Sequence, residues 1–129
     1  MNKILAAFGL FVVCLSASAT CTQGDLAGTW KVYVMGAEFS EAYWSRCTVT
    51  ISSTGSISTS SFCSDDGGIK GNFSGGRLTV TSGCNVTGTA NLPGDSNTIT
   101  DVQLSRDKIT FTGVGKGTND IFMFQGVKK

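Results

Sequence analysis

The sequence contains no histidine, and histidine is the commonest general base in enzymes that activate a nucleophile. The nearest carboxylate pairs are Glu38 with Glu41 and Asp65 with Asp66. We interpret the first pair as part of a solvated loop, and Asp65-Asp66-Gly67-Gly68 has the composition of an ordinary turn. A calcium site at Asp65 and Asp66 is the alternative reading of that turn. We therefore expect no enzymatic activity, no cofactor and no metal site.

Charge is also scarce, since charged residues make up 15% of the chain. The ten Lys and Arg residues include Lys3 in the predicted leader, so nine basic residues remain against nine acidic ones. A balanced chain lacks the attraction that nucleic acids and anionic membrane surfaces exert on basic proteins. The N-terminal apolar run over residues 4–15 is too short to span a bilayer, and no later stretch is long and apolar enough to do so. The composition predicts no nucleic-acid partner and no membrane span.

The first nineteen residues have the pattern of a signal peptide. Lys3 precedes the apolar run, and the small residues Ser16-Ala17-Ser18-Ala19 follow it, which is typical of a signal-peptidase site. We expect residues 1–19 to be removed and residues 20–129 to form a single domain with one core. The mature protein is then secreted or periplasmic.

Four cysteines follow the predicted leader, and an even number in an exported domain favours two disulfides. Three connectivities are possible. Opposed residues of an antiparallel hairpin have a constant sum of residue numbers, so a turn centred on Gly55 places Cys47 opposite Cys63. Cys21 then pairs with Cys84.

Glycine- and serine-rich turn signals divide the chain into short segments rich in Thr, Val, Ile and Phe. An opening strand within residues 24–34 is followed by predicted strands at 45–53, 56–63, 68–74, 77–82, 85–92, 97–105, 108–116 and 120–127. Connections this short allow only antiparallel neighbours. We therefore predict an all-β protein, an up-and-down antiparallel meander of eight or nine strands that closes into a small β-barrel.

The aromatic residues are few, and five of them are candidates for binding. Phe39, Tyr43 and Trp44 belong to a predicted loop over residues 36–44. If residues 37–42 form a helical turn, Phe39 and Tyr43 share a face, and such a segment lies across one mouth of the barrel. These side chains either cover a ligand cavity or fill the mouth as part of a solid core. Barrel volume favours the solid core, and both options stay open. Phe122 and Phe124 lie in a strand that is apolar on both faces, so one face must cover the loop or contact a partner.

The opening strand carries Gly28-Thr29-Trp30, which resembles the Gly-x-Trp signature of the calycins, the superfamily of lipocalins, fatty-acid-binding proteins and avidins. The resemblance implies a lipocalin- or avidin-like barrel with Gly28 and Trp30 as structural residues. In these families the tryptophan packs across the closed end of the barrel under a basic side chain, for which Lys128 and Lys116 are the candidates. It also implies a non-enzymatic binding protein with a small apolar ligand.

A second resemblance favours another function. Asp25-Leu26-Ala27-Gly28-Thr29-Trp30 is similar to the first strand of the periplasmic inhibitors of serralysin-type metalloproteases. This implies a secreted or periplasmic protein-binding module, such as a protease inhibitor, with a protein as its partner. An empty apolar cavity of several hundred cubic ångströms would favour the ligand carrier. A filled interior with an exposed aromatic patch would favour the protein partner.

Overall fold

The computed structural model describes residues 20–65 and 68–129. The predicted signal peptide lies outside the described residues. One short 3₁₀ helix, Gln23–Leu26, precedes the strands, and no helix of the described residues is long and apolar enough to cross a membrane. The strands are β1 (Gly28–Glu38), β2 (Glu41–Ile51), β3 (Phe62–Asp65), β4 (Gly68–Asn72), β5 (Gly75–Val80), β6 (Asn85–Leu92), β7 (Asp95–Leu104), β8 (Thr110–Lys116) and β9 (Asp120–Lys128).

These strands form one antiparallel sheet in the order β4-β3-β2-β1-β9-β8-β7-β6-β5. The first and last strands pair along nine residues, from Trp30 opposite Lys128 to Glu38 opposite Asp120. The predicted antiparallel meander is therefore confirmed. Period-two alternation places one face of each strand inside the curled sheet, as in β1, where Trp30 and Val32 are buried and Tyr33 is exposed.

The prediction that the barrel closes is wrong, because the sheet curls through 257° and stays open between β4 and β5. Neighbours in an antiparallel sheet alternate in direction, so the two edges of a nine-stranded sheet run the same way. Parallel pairing of such edges needs a crossover of a dozen or more residues, and only residues 73 and 74 separate β4 from β5. β4 therefore pairs with β3, and β5 pairs with β6, but β4 and β5 do not pair with each other and the sheet stays open between them.

Residues 52–61, which link β2 to β3, bridge part of this opening. The Ile57 N–H donates to the Gly76 carbonyl at 3.0 Å, and the Leu78 N–H donates to the Gly55 carbonyl at 2.9 Å. Gly55 has a φ of 86°, and a Cβ there would lie 2.0 Å from the Leu78 oxygen, so this contact requires glycine. The predicted strand over 56–63 is wrong over most of its length, because this segment bonds across to β5.

The β1–β2 connection also differs from the expected loop. β1 continues to Glu38 and β2 begins at Glu41, with the two residues opposite each other in the ladder. The turn consists of Phe39 and Ser40, whose φ angles of 47° and 75° are the positive values that two-residue hairpin turns use to follow strand twist. The helical turn predicted over residues 37–42 is therefore wrong.

Both predicted disulfides are confirmed. Cys47 and Cys63 are opposed residues of β2 and β3, as the residue-number argument requires. Cys21 is bonded to Cys84, which ties the segment before the 3₁₀ helix to the β5–β6 turn. Two intramolecular disulfides are consistent with an oxidising or extracellular compartment.

The end of the sheet that holds the 3₁₀ helix, here called the floor, carries the most deeply buried side chains. Trp30 is fully buried, and its indole N–H donates to the Leu26 carbonyl at 2.9 Å. Its ring centroid lies 4.7 Å from that of Phe111. Leu26, also fully buried, packs in the same cluster. Trp30 thus links the 3₁₀ helix to Phe111 of β8.

Lys128, at the end of β9, lies over Trp30. Its Nζ is 5.0 Å from the centroid of the indole ring and donates to the Asp25 carbonyl at 2.7 Å. The lysine stem passes Gly28, whose missing Cβ would lie 3.6 Å from the Lys128 Cε. Of the two basic residues that the calycin resemblance offered as partners of Trp30, the structure places Lys128 there, and Lys116 lies at the far end of β8.

Candidate functional site

A cavity of about 430 Å³ lies inside the curled sheet. Its walls are inward-facing side chains of both halves of the sheet, and most of them are apolar. They include Val32, Val34, Val49, Ile99, Phe122 and Phe124. The interior is therefore hollow, and its volume falls within the range of about 300–1,000 Å³ that is typical of small-molecule sites.

The aromatic side chains leave this space open because each of three rings lies over a glycine of the neighbouring strand. The glycine and the ring are directly opposed in the ladder in every case. A Cβ on the glycine would lie between 2.2 and 2.6 Å from the opposed ring. The pairs are Gly36 with Tyr43, Gly115 with Phe122, and Gly126 with Phe111. Each ring thus packs against the wall, in space that a side chain would otherwise take.

Two polar side chains lie among the apolar walls. Ser45 of β2 and Asn97 of β7 are each 8% exposed and line the cavity. Neither side chain has a hydrogen-bond partner among the described residues. Since every fully enclosed side-chain nitrogen and oxygen of the described residues has a partner, the polar atoms of Ser45 and Asn97 face the open space of the cavity.

The opposite end of the sheet from the floor, here called the rim, carries four carboxylates that border the cavity: Glu38, Glu41, Asp95 and Asp120. Glu38 is directly opposite Glu41 on β2 and Asp120 on β9. No Lys or Arg of residues 20–65 and 68–129 forms an ion pair with any of the four. An adjoining recess of about 320 Å³ is bordered by three of them, Glu38, Asp95 and Asp120. The rim is thus a concentration of unpaired negative charge.

Hydrogen bonds fix two of the rim carboxylates. The Tyr43 hydroxyl donates to Asp120, and the Thr118 hydroxyl donates to Asp95 at 3.0 Å. The pKa of Tyr43 is raised far above its ordinary value of 10. Burial is the largest cause, followed by the hydrogen bond to Asp120 and then by the charges of Asp120, Glu38 and Asp95. Tyr43 therefore stays a hydrogen-bond donor at neutral pH.

The structure brings together four of the five aromatic residues that the sequence offered as binding residues. Tyr43, Phe122 and Phe124 line the cavity, and Phe39 borders it from the β1–β2 turn with 78% of its surface exposed. Trp44 does not join them, because it points to the outer face of β2 and is 50% exposed.

The outer face near the rim carries an exposed apolar row. Trp44 is opposite Met35, and Met35 is opposite Met123, so the three side chains lie side by side across β2, β1 and β9. Ile121 is exposed on the same face of β9. The two apolar faces of β9 are thereby separated: Phe122 and Phe124 face the cavity, while Ile121 and Met123 face outward.

Metal-binding chemistry has little support in the described part of the chain. No group of three or more His, Cys, Asp or Glu side chains there is placed to hold a metal ion. Asp66, half of the alternative calcium site, lies outside the described residues, and Asp65 ends β3. Of the rim carboxylates, the sequence analysis named the pair Glu38 and Glu41 but assigned it to a solvated loop, and it did not nominate Asp95 or Asp120. Equal spacing of Glu38 and Glu41 about a two-residue turn would have predicted them to be opposed.

Comparison of the chain with models of protein families, with curated proteins and with solved structures finds no match.

Proposed function

We propose that the protein binds a small, largely apolar molecule in the cavity, and that it is a binding protein and not an enzyme. The cavity carries this proposal. It has the volume of a small-molecule site, apolar walls and a few polar groups at defined positions, which is the usual composition of such sites. Burial of apolar ligand surface there would supply about 25 cal/mol for each square ångström removed from water.

The walls support the same proposal. The three ring-over-glycine pairs lie in two strand pairings, one in β1–β2 and two in β8–β9, and each of them places an aromatic ring against the wall of the cavity. Glycine inside a strand costs stability relative to a residue with a side chain. Each glycine lets its opposed ring lie against the wall and leaves the volume beyond the ring empty, and this arrangement supports a function for the cavity. The role is comparable to that of a lipocalin-like carrier in an extracellular or periplasmic compartment.

Fluorescence titration with N-phenyl-1-naphthylamine, a neutral apolar dye, tests the proposal. The wild type should enhance the dye emission in a saturable way with one site per chain. Val34→Phe, which adds bulk to the cavity wall, should weaken the binding. Met35→Phe is the matched control, since Met35 is the next residue of β1 and faces outward. Equal dye binding by both variants, or no binding by the wild type, would contradict the proposal.

A second candidate function, a protein-binding module such as a protease inhibitor, is favoured by the exposed row of Trp44, Met35 and Met123. Large apolar side chains that cluster on a surface are typical of contact sites for proteins. The test is inhibition of a panel of secreted proteases by the wild type and by Met35→Glu. Inhibition that Met35→Glu abolishes would support this candidate, and Val34→Phe should then inhibit as well as the wild type.

A further inference from the structure

We propose that the ligand of the cavity carries a protonated amine: its apolar body occupies the cavity and its positive charge lies at the rim carboxylates. This inference rests on the proposed function and names the chemical class of its ligand. It follows from the arrangement of charge at the rim, from the Asn97 amide that faces the cavity beneath it without a partner among the described residues, and from two acceptor oxygens that lie beside Gly117.

The negative charges of the rim repel one another and lower the stability of the free protein. Glu38 faces one carboxylate on each neighbouring strand, Glu41 and Asp120. Like charges that are directly opposed across strands destabilise a sheet. Lys116, the basic residue of β8 nearest the rim, is opposed to Ile121 and therefore lies on the outward face. A cation supplied by the ligand would offset a repulsion that the described residues leave uncompensated.

Asn97 gives the second observation. It lies two residues along β7 from Asp95, on the same inward-facing row, and is nine-tenths buried. Its carboxamide points into the cavity without a partner among the described residues. Because its polar atoms are open to the cavity, a polar atom of a ligand at this depth would find a hydrogen-bond partner in this amide. Asn97 therefore lies where the apolar body of a ligand would meet its polar group.

Gly117 makes room for two acceptor oxygens at the rim. A Cβ at Gly117 would lie 2.0 Å from the Asp120 Oδ1 and 2.9 Å from the Asn97 Oδ1. The absence of a side chain therefore lets the Asp120 carboxylate and the Asn97 amide oxygen both lie beside this glycine. An ammonium group offers three N–H donors and a positive charge, which matches one carboxylate, one amide oxygen and the remaining rim charge. An anionic or purely apolar ligand would leave these acceptors unpaired.

Calorimetric titration with three ligands of one chain length tests the inference: octylamine, 1-octanol and octanoate. Octylamine should bind the wild type several-fold more tightly than octanol, and octanoate should bind most weakly. Glu38→Gln and Asp120→Asn should each weaken octylamine roughly fivefold, the factor expected for one partly screened charge pair, and should weaken octanol by a smaller factor. Asp101→Asn is the control, because Asp101 is an exposed carboxylate of β7 that does not line the cavity.

The outcomes separate the two proposals. Equal affinity for octylamine and octanol would overturn the proposal of an amine ligand but not that of an apolar binding site. If neither the three ligands nor the naphthylamine dye binds, both proposals are overturned. Competition with calcium chloride tests whether the same carboxylates bind a metal ion instead. Displacement of octylamine by stoichiometric calcium would overturn the proposal of an amine ligand, and octylamine binding that persists in excess calcium would support it.

Discussion

Gly36 and Tyr43 are directly opposed in the β1–β2 hairpin, and the Tyr43 ring occupies the space above the glycine, where a Cβ would lie 2.6 Å from its Cζ. The same relationship recurs at Gly115 with Phe122 and at Gly126 with Phe111. Cross-strand packing of an aromatic ring over a glycine compensates for the missing side chain. In this protein the three rings packed in this way also line the cavity.

Gly36→Ala should therefore destabilise the fold by about 1–3 kcal/mol, the usual cost of forcing extra atoms into a packed site. The added methyl group would displace the Tyr43 ring toward the cavity and break its hydrogen bond to Asp120. Urea denaturation measures the loss of stability. Gly83→Ala is the control, because a Cβ there would meet no atom closer than 3.7 Å. Equal stability of both variants and the wild type would contradict the packing argument.

The two disulfides should contribute unequally to stability. In the chain-entropy account the Cys47–Cys63 bond, with a sequence separation of 16, contributes about 3 kcal/mol, and the Cys21–Cys84 bond, with a separation of 63, about 4 kcal/mol. Thermal unfolding of the Cys47→Ala/Cys63→Ala and Cys21→Ala/Cys84→Ala variants checks the order. A larger loss from the shorter loop would show that local strain or packing, and not loop entropy, dominates.

Lys128 should stabilise the floor through its contacts with Trp30 and the Asp25 carbonyl. Lys128→Met keeps much of the stem but removes the charge over the indole ring and the donor to the carbonyl, so we expect a loss of about 1–2 kcal/mol. Lys129→Met removes the same charge from the neighbouring, exposed residue and should change little. If both variants unfold at the same urea concentration, Lys128 does not stabilise the floor.

The loss of stability at acidic pH should report on the ionisation of Asp25. A hydrogen bond from the Thr22 backbone N–H and the adjacent Lys108 ammonium hold the pKa of Asp25 below its ordinary value of 3.8. Because the folded-state pKa is the lower one, the stabilisation is fully present above about pH 4 and is lost as the pH falls through the folded-state pKa. Asp25→Asn should be less stable than the wild type at pH 5, and the gap should narrow toward pH 2.5. A gap of constant size would contradict this account.

The rim predicts a gain of stability on removal of charge. Glu38→Gln removes two like-charge cross-strand pairs, with Glu41 and Asp120, and should stabilise the free protein by about 0.5 kcal/mol. Asp101→Asn, on the outer face, should be neutral. Residues that lower stability in the free protein and favour binding are common at functional sites. A loss of stability in Glu38→Gln would mean that Glu38 has a favourable partner.

Local patterns in the sequence predicted much of this fold. Residues 85–92 form β6 as predicted, because a turn precedes them and another follows them, and β-branched residues lie between. Cys47 opposite Cys63 followed from residue numbering alone. The β1–β2 hairpin was missed because Phe39-Ser40 lacks the Asn-Gly or Asp-Gly signal of two-residue turns. The open edge was missed because it depends on strand number and on residues 73 and 74, which no local pattern reveals.

The candidate site was less predictable for the same reason. Tyr43, Phe122 and Phe124 could be nominated as aromatic residues of a barrel, but cavity volume depends on how rings pack against opposed glycines. Glu38 and Glu41 looked like residues of a solvated loop while the hairpin was unknown. Asp120 lies beside Glu38 only because β1 pairs with β9, two strands that are far apart in the sequence.

The location of a bound apolar ligand tests the central claim most directly. Backbone amide chemical shifts of the ¹⁵N-labelled protein, followed during titration with 1-octanol, distinguish the inner from the outer face of the same strands. The account predicts the largest saturable shifts at Ser45, Asn97 and Phe122, with little change at Met35 and Met123. Shifts concentrated at Met35, Trp44 and Met123, or no saturable shifts at all, would contradict it.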